Sequence, residues 1–561
     1  MSTVAITTAN TYELPDAIRK DYTPYNARRL SRDAYSRSSG DEPVVNPRGN
    51  QTVPAQRPAS ISGTLSAATA TASDIETPSS MKVARANLII FHVSLVILLA
   101  SVSSGIVVVG LPRIASDLQL VERLYLWPTS VYGLTAGAML LPAGVIADVI
   151  GPRSVELVAV ALLGIFTLGC GWTSTGIQLV MFRALQGVAT AMHMPCSVSL
   201  VTRHVPNGKR RNIGFACLGL SMPLGFSIGL VLGGVLVDTI GWRVGFYIAG
   251  AIVLLQAIAS LRIIPADVRP ENVMSKLKAE IDWIGAAISC VGLAMFSYVL
   301  AILSTDSDNM RQPSAIAMLT ISIVLLVMFP FWMWHQEKKG RPALVPNYLW
   351  KNKAFSCICA LTVLTWGVMN SMELFASLYF QEVQEFSALQ ASLRILPSLI
   401  VGAILNLTTG LFVDHVPVFW LAFVSTTLTA VAPLLMALIN PHWTYWRGAF
   451  VAQILSPLSG DVLFTVGLIV VSESFTEDTQ ALAGAVFNTV AYFGLSLGLN
   501  SMQVVSLLVT KGTQYRDKSS PAALLQGYQA SFWAMFAMTV FCSLLCVVGL
   551  RNVGKVGLKR E

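Results

Sequence analysis

Five ionisable side chains stand inside long apolar runs of this sequence: His92, Arg183, His193, Glu373 and Asp461. A charge in such a run is costly, about 2.5–3.5 kcal/mol for arginine on insertion scales, so each should face protein or water and have a partner. A carboxylate taken out of water favours its protonated form. Asp461, near the middle of its run in Leu458-Ser-Gly-Asp461-Val, and Glu373 are therefore the groups expected to bind and release protons near neutral pH. For Arg183 the structural alternatives are bonds to main-chain carbonyls or a permanent ion pair with Asp461. His193 could meet a substrate or bond a helix carbonyl, and His92 sits near the end of its run. Gln186, Asn370, Gln453 and Asn488 could add neutral polar contacts, and Trp366, Tyr379, Phe380, Phe487 and Tyr492 flat apolar ones.

Other chemistries lack their signatures. There is no HExxH, no GxSxG, no set of Asp and His at metal-ligand spacing and no GxxxxGK[ST]. An enzyme, a metal site, a cofactor and an ATP-driven pump are accordingly not expected. The formal charge of +8 resides in loops and tails rather than on one basic face, which argues against nucleic acid as a partner. Eight cysteines lie in or beside apolar segments, and Cys357-Ile-Cys359 is not a CxxC pair.

The segments that must position these residues are long and apolar. The chain of 561 residues is 54% hydrophobic and 12% charged, against about 25% charged in ordinary soluble domains. Runs of about twenty apolar residues match a hydrocarbon core about 30 Å thick. Fourteen fall near 88–111, 126–147, 157–174, 178–201, 214–237, 244–262, 283–304, 314–335, 355–379, 395–413, 418–438, 448–471, 481–509 and 529–550. The expected class is an all-α membrane protein. Residues 1–86 form a Ser/Thr/Ala/Pro-rich tail expected to be disordered, with no apolar stretch near Met1 that reads as a cleavable signal. Residues 551–561 form a short second tail.

Basic residues orient the spans. With the N-terminus inside, inner segments hold 28 Lys and Arg and outer loops 8, or 18 against 8 without the long tail. Both termini are then cytoplasmic. A repeat is also visible: the second span ends Gly144-Val-Ile-Ala-Asp148 and the tenth Gly410-Leu-Phe-Val-Asp414. If these correspond, spans one to six (87–262) and nine to fourteen (354–550) are duplicated bundles. Spans seven and eight (263–353) are an insertion between them.

Three motifs follow in order. After the second span comes Gly144-Val-Ile-Ala-Asp148-Val-Ile-Gly151-Pro152-Arg153-Ser-Val-Glu-Leu157. The fourth span holds Arg183-Ala-Leu-Gln186-Gly187-Val-Ala-Thr-Ala191. The fifth holds Gly225-Phe-Ser-Ile-Gly229-Leu-Val-Leu-Gly233-Gly234. These resemble the GxLADRxGRKxxL, RxxQGxgaA and gxxxGPxxGG motifs of the major facilitator superfamily, in its fourteen-helix drug:proton antiporter branch. The likeness runs from about residue 88 to the end. Val149, Pro152 and Leu230 depart from the pattern, and Ser103 stands where the branch carries an aspartate.

The resemblance implies two six-helix bundles with two inserted helices, and a central cavity lined by helices 1, 4, 9 and 12. It implies that Gly144, Asp148, Gly151 and Arg153, with Gly410 and Asp414, gate the conformational change, the aspartate facing a neighbouring helix N-terminus. Gly225, Gly229, Gly233 and Gly234 would pack helices closely. Asp461 or Glu373 would carry the proton in place of the acid missing at Ser103, with Arg183 as charge partner. His92, Gln186, His193, Asn370 and Gln453 are the cavity contacts expected beside them. The implied function is proton-coupled export of a small organic compound by a monomer in the lipid bilayer. The plasma membrane is the expected site and the vacuolar membrane the alternative. Competing readings are transport of a small inorganic solute such as ammonium or borate, and a non-transporting sensor with the same fold.

Overall fold

The computed structural model describes residues 83–120, 124–206, 209–266, 275–276, 281–303, 312–412, 415–475 and 477–551. Of the expected tails at 1–86 and 551–561, residues 1–82 and 552–561 lie outside them, while 83–86 already belong to the first helix rather than to a disordered tail. The described residues belong to one compact unit and are helical, without strands.

The long helices are α1 Val83–Asp117, α2 Trp127–Ile150, α3 Pro152–Trp172, α4 Gly176–His204, α5 Lys209–Thr239, α6 Arg243–Ile263, α7 Trp283–Leu303 and α8 Pro313–Lys338. After them come α9 Lys353–Leu378, α10 Ala388–Phe412, α11 Val418–Ala437, the broken α12 (Ala449–Leu455 and Leu458–Ser474), α13 Glu477–Gly512 and α14 Pro521–Gly549. Among the described residues, thirteen helices are long and apolar enough to cross a membrane. The fourteenth, α4, carries Arg183, Gln186 and His193 along one side, so its average polarity is higher although its length suffices.

Local chemistry sets the boundaries. Gly151, at φ 107°, is the single residue between α2 and α3, and Pro152 starts α3 at a position where no N–H is needed. Thr175 and Gln178 close a reciprocal capping box on α4. The Asn352 side chain accepts from the N–H groups of Ala354 and Phe355 and so caps α9. α12 breaks at Ser456-Pro457, and α9 ends in a π-helical turn, Tyr379–Val383.

Helix pairing shows the duplication. In the first half α1 packs on α5, α2 and α3 on α4, and α3 on α6. Eight helices later α9 packs on α13, α10 and α11 on α12, and α11 on α14. The halves meet through α2 on α13 and α5 on α10, while α7 and α8 pair with each other and α7 leans on α2 and α13. This is the expected architecture of two six-helix bundles with two inserted helices.

Glycines allow the closest approach in both halves. A Cβ on Gly225 would lie 2.2 Å from the Leu98 carbonyl oxygen, and one on Gly229 2.3 Å from that of Val102. Gly494 and Gly498 repeat this on α13, meeting the Val363 carbonyl at 2.3 Å and the Gly367 Cα at 2.3 Å. Gly233 also faces α1, at Ile106, whereas Gly234 turns to Leu389 and Ser392 of α10 in the other half. Outward faces carry Ile248, Leu255 and Ile258 of α6, Val324, Val327 and Phe331 of α8, and Ile400 and Ile404 of α10. In water such a surface would be costly; in lipid it is not.

Candidate functional site

Between the halves lies a cavity of about 110 Å³. The first half contributes Ser101, Ser104 and Val108 of α1, Thr129 and Tyr132 of α2, Arg183 of α4 and Phe226 of α5. The second contributes Trp366, Asn370 and Glu373 of α9, Ser398 and Asn406 of α10, Asp461 and Phe464 of α12, and Tyr492 of α13. The lining thus extends beyond helices 1, 4, 9 and 12 to α2, α5, α10 and α13. Its cation comes from one half and both its carboxylates from the other.

Arg183 is fully held. Its Nε donates to the Pro128 carbonyl at 2.9 Å, Nη1 to Gln186 Oε1 at 2.6 Å and to Ser103 Oγ at 3.4 Å, and Nη2 to Ser104 Oγ at 3.3 Å. The guanidinium carbon lies 4.5 Å from the centre of the Tyr132 ring. Among the described residues no carboxylate lies within ion-pair distance of it, so the expected Asp–Arg pair is not formed in this conformation. Neutral oxygens and an aromatic face satisfy the charge instead. Gln186 sits behind Arg183, its Nε2 donating to Thr167 Oγ1 and Ser103 Oγ at 2.8 and 3.0 Å. Ser103, where the resemblance places an acid, is a buried member of this neutral network.

On the opposite wall, Asp461 occupies the first turn of the second piece of α12, just past the break at Pro457. Its Oδ1 accepts from Asn406 Nδ2 at 2.9 Å. Its Oδ2 lies so close to α10 that a Cβ on Gly402 would be 2.5 Å away. Asn406 Oδ1 in turn accepts from Thr465 Oγ1 at 3.3 Å. Glu373 is 6% exposed and lines the same cavity. Asn370 donates to the Trp366 carbonyl at 2.9 Å. Trp366 packs on Phe464, with ring centres 4.9 Å apart. Three buried polar atoms of the lining, Thr129 Oγ1, Trp366 Nε1 and Ser398 Oγ, have no hydrogen-bond partner among the described residues.

Of the expected cavity contacts, Asn370 is in the lining. Gln186 stands one layer behind, and Gln453 is buried outside the lining. His92 and His193 instead both meet Glu156 of α3. Glu156 escapes the sequence reading because the third span is drawn from 157. The residue belongs to the quoted stretch 144–157, where it reads as part of a loop. Asn406 is missed because it stands on the tenth span, outside helices 1, 4, 9 and 12 from which the lining is expected.

The halves are joined at the end of the molecule where α1 and α9 finish. Tyr125 and Tyr528 both donate to the carboxylate of Glu382, on the π-helical turn after α9. Asp238, at the end of α5, accepts from the Leu389 N–H at 3.0 Å, the first turn of α10. Glu382 lies three residues past the span drawn to 379, so charge inside spans does not reveal it. At the other end, Asp148 has a side chain 67% exposed and reaches Arg203 of its own half at 4.0 Å rather than a helix N-terminus. Arg153 Nη2 donates to the Leu261 carbonyl at 3.2 Å, and a Cβ on Gly144 would meet Pro195 at 3.7 Å. Gly410 lies in α10, and Asp414 lies outside the described residues.

Two pseudo-equivalent six-helix bundles around a shared cavity are matched in sequence by the family model described as Major Facilitator Superfamily, over residues 93–499. The chain belongs to the major facilitator superfamily. It is a multi-pass integral membrane transporter. "MFS-type transporter 1" of Pyricularia oryzae is 40% identical to it, over 84% of this chain and 85% of that protein. A "Low affinity ammonium transporter" of Saccharomyces cerevisiae is 27% identical, over 72% of this chain and 77% of the relative. "Efflux pump terJ" of Aspergillus terreus is 23% identical, over 72% and 76%. Among solved structures, a bacterial homologue of the lysosomal transporter Spinster, in an inward-facing and unoccupied conformation, shares the superfamily fold. Its TM-score is 0.59 at 16% identity, covering 84% of this chain and 98% of that one.

Proposed function

We propose that this superfamily member is a proton-coupled exporter of a small organic compound, working by alternating access. The observation that carries the reading is the cavity between the halves. Two carboxylates, Glu373 and Asp461, share it with an aromatic wall of Trp366, Phe464 and Tyr492 and with unpartnered polar atoms on Thr129, Trp366 and Ser398. Aromatic faces suit a flat organic solute, and the free donors suit its polar atoms. The carboxylates supply groups that exchange a proton when the cavity changes sides. The relative described as an efflux pump supports export.

With both termini cytoplasmic, the end sealed by Glu382 is the outer one and the state is closed to the outside. Asp148 then stands at the cytoplasmic end without its latch contact, as expected when that side is released. The plasma membrane is the proposed site and a monomer the proposed form.

A second reading, movement of a small inorganic solute, is favoured by the cavity's volume of about 110 Å³ and by the ammonium-transporting relative. Flux into sealed vesicles bearing the protein, under an imposed pH gradient, separates the two. Hydrophobic toxins should move against their gradient when the receiving side is acidic. Transport of ammonium alone, or flux indifferent to the pH gradient, would overturn the first reading.

A further inference from the structure

Within the first half, remote from the cavity lining, three ionisable side chains from three helices meet with no exposure to solvent. They are His92 of α1, Glu156 of α3 and His193 of α4, each 0% exposed. His193 Nδ1 lies 2.8 and 2.9 Å from the two oxygens of Glu156. His92 Nε2 is 3.6 Å from Glu156 Oε1, and its Nδ1 is 2.8 Å from Oε1 of Gln256 on α6.

The acceptors around His92 fix its charge. A neutral imidazole has one N–H and one lone pair, so it serves an acceptor on only one of its nitrogens. Here an amide oxygen lies within hydrogen-bond distance of one ring nitrogen, and a carboxylate oxygen lies at ion-pair distance, 3.6 Å, from the other, which makes no hydrogen bond among the described residues. Imidazolium, with two N–H groups, is the form that serves both. Its charge also faces the buried carboxylate of Glu156, whose nearer partner is His193. Turning the Gln256 amide over would present its NH2 to Nδ1 and suit neutral His92. The two arrangements differ by one proton.

We propose that His92 is a proton-binding site inside the first bundle, separate from the cavity carboxylates, holding its proton as an imidazolium between Glu156 and Gln256. The titratable groups facing it are Glu156 from α3 and His193 from α4, while α6 presents the neutral Gln256. Of the basic groups at the same end of the bundle, Arg85 is engaged by the Ile263 carbonyl, Arg153 by that of Leu261 and Arg211 by those of Thr202 and Val205, while Arg203 reaches Asp148. The bound proton ties α1, which lines the cavity, to α3 and α6, which do not. Its loss would remove the positive charge that α1 turns toward Glu156.

The chain has six histidines, few enough for each to be followed by nitrogen NMR. In purified full-length protein labelled with 15N-histidine, the ring signal lost in His92→Gln should be one with both nitrogens protonated at pH 7.5. Glu156→Gln, measured in the otherwise unchanged chain, should convert that same signal to a neutral imidazole. Loss of a neutral ring signal in His92→Gln would overturn the proposal. If His92→Gln does not fold, an imidazolium signal that persists through Glu156→Gln, or none in the unaltered protein, would overturn it equally.

Discussion

The phenol of Tyr125, in the segment before α2, donates to Glu382 at the end of α9, and this bond crosses from one half of the transporter to the other. Tyr528 donates to the same carboxylate from α14, on Glu382's own side. The two tyrosines therefore make bonds of similar chemistry and different consequence. Only the first must break for the halves to part at that end.

Tyr125→Phe should consequently shift the population toward the state open at the Glu382 end. A hydrogen bond to a charged group contributes about 1.5–3 kcal/mol, and 1.4 kcal/mol is a factor of ten, so a shift of roughly tenfold or more is expected. Tyr528→Phe should shift it much less. The readout is the rate at which an impermeant thiol reagent reaches a cysteine placed at Thr129, in the cavity lining. Equal rates in the two variants would remove Tyr125 from the gate.

Glycine packing makes a sharp stability prediction. Gly229→Ala drives a methyl group to 2.3 Å from the Val102 carbonyl oxygen, and Gly498→Ala one to 2.3 Å from the Gly367 Cα. Backbone cannot step aside cheaply, so each should cost about 1–3 kcal/mol or more. Gly219, on α5 nearly three turns before Gly229, has nothing within 4 Å of the added carbon. Gly219→Ala should be neutral or slightly stabilising, because alanine is favoured over glycine within a helix by about 1 kcal/mol. Thermal stability of the detergent-purified variants checks all three.

The fold was legible because its causes are local and repetitive. Apolar length marks a span, basic loops orient it, and Gly144–Asp148 against Gly410–Asp414 gives away the duplication. The same signal blurs at helix ends. Glu156 lies one residue outside the span drawn from 157 and Glu382 three beyond the one drawn to 379, so a buried charge and a half-buried one read as loop charges. Pairing is harder still, because partners come from different helices. Arg183 and Asp461 look like a natural pair along the chain. In space Arg183 is satisfied by Pro128, Ser103, Ser104 and Gln186, and Asp461 by Asn406. Asn406 stands on the tenth span, which the duplication does not place among the cavity-lining helices 1, 4, 9 and 12.

Arg183 tests whether geometry or charge alone matters. Its three nitrogens reach four acceptors on α1, α4 and the start of α2. Lysine keeps the charge but has a single ammonium group, which cannot reproduce the planar fork. Arg183→Lys should leave at least one buried acceptor unmet, at about 1–3 kcal/mol, and lower transport roughly tenfold or more. Melting temperature and vesicle flux measured on one preparation would show it. Full activity in the lysine variant would mean that only a positive charge is needed at this wall.

The two cavity carboxylates can be separated by what each loses. Asp461→Asn keeps the shape and polarity of the side chain beside Asn406 and Gly402 but cannot release a proton. Glu373→Gln does the same on α9, where the described structure gives the carboxylate no hydrogen-bond donor. If Asp461 carries the proton, Asp461→Asn should abolish accumulation driven by a pH gradient. Exchange of substrate across vesicles at equal pH should then survive, because that half of the cycle needs no proton to leave. Glu373→Gln should in that case lower the rate without removing the dependence on the gradient. The reverse pattern would transfer the role to Glu373. Unchanged coupling in both variants would place the proton elsewhere in the transporter and sink the reading of this cavity as the coupling site.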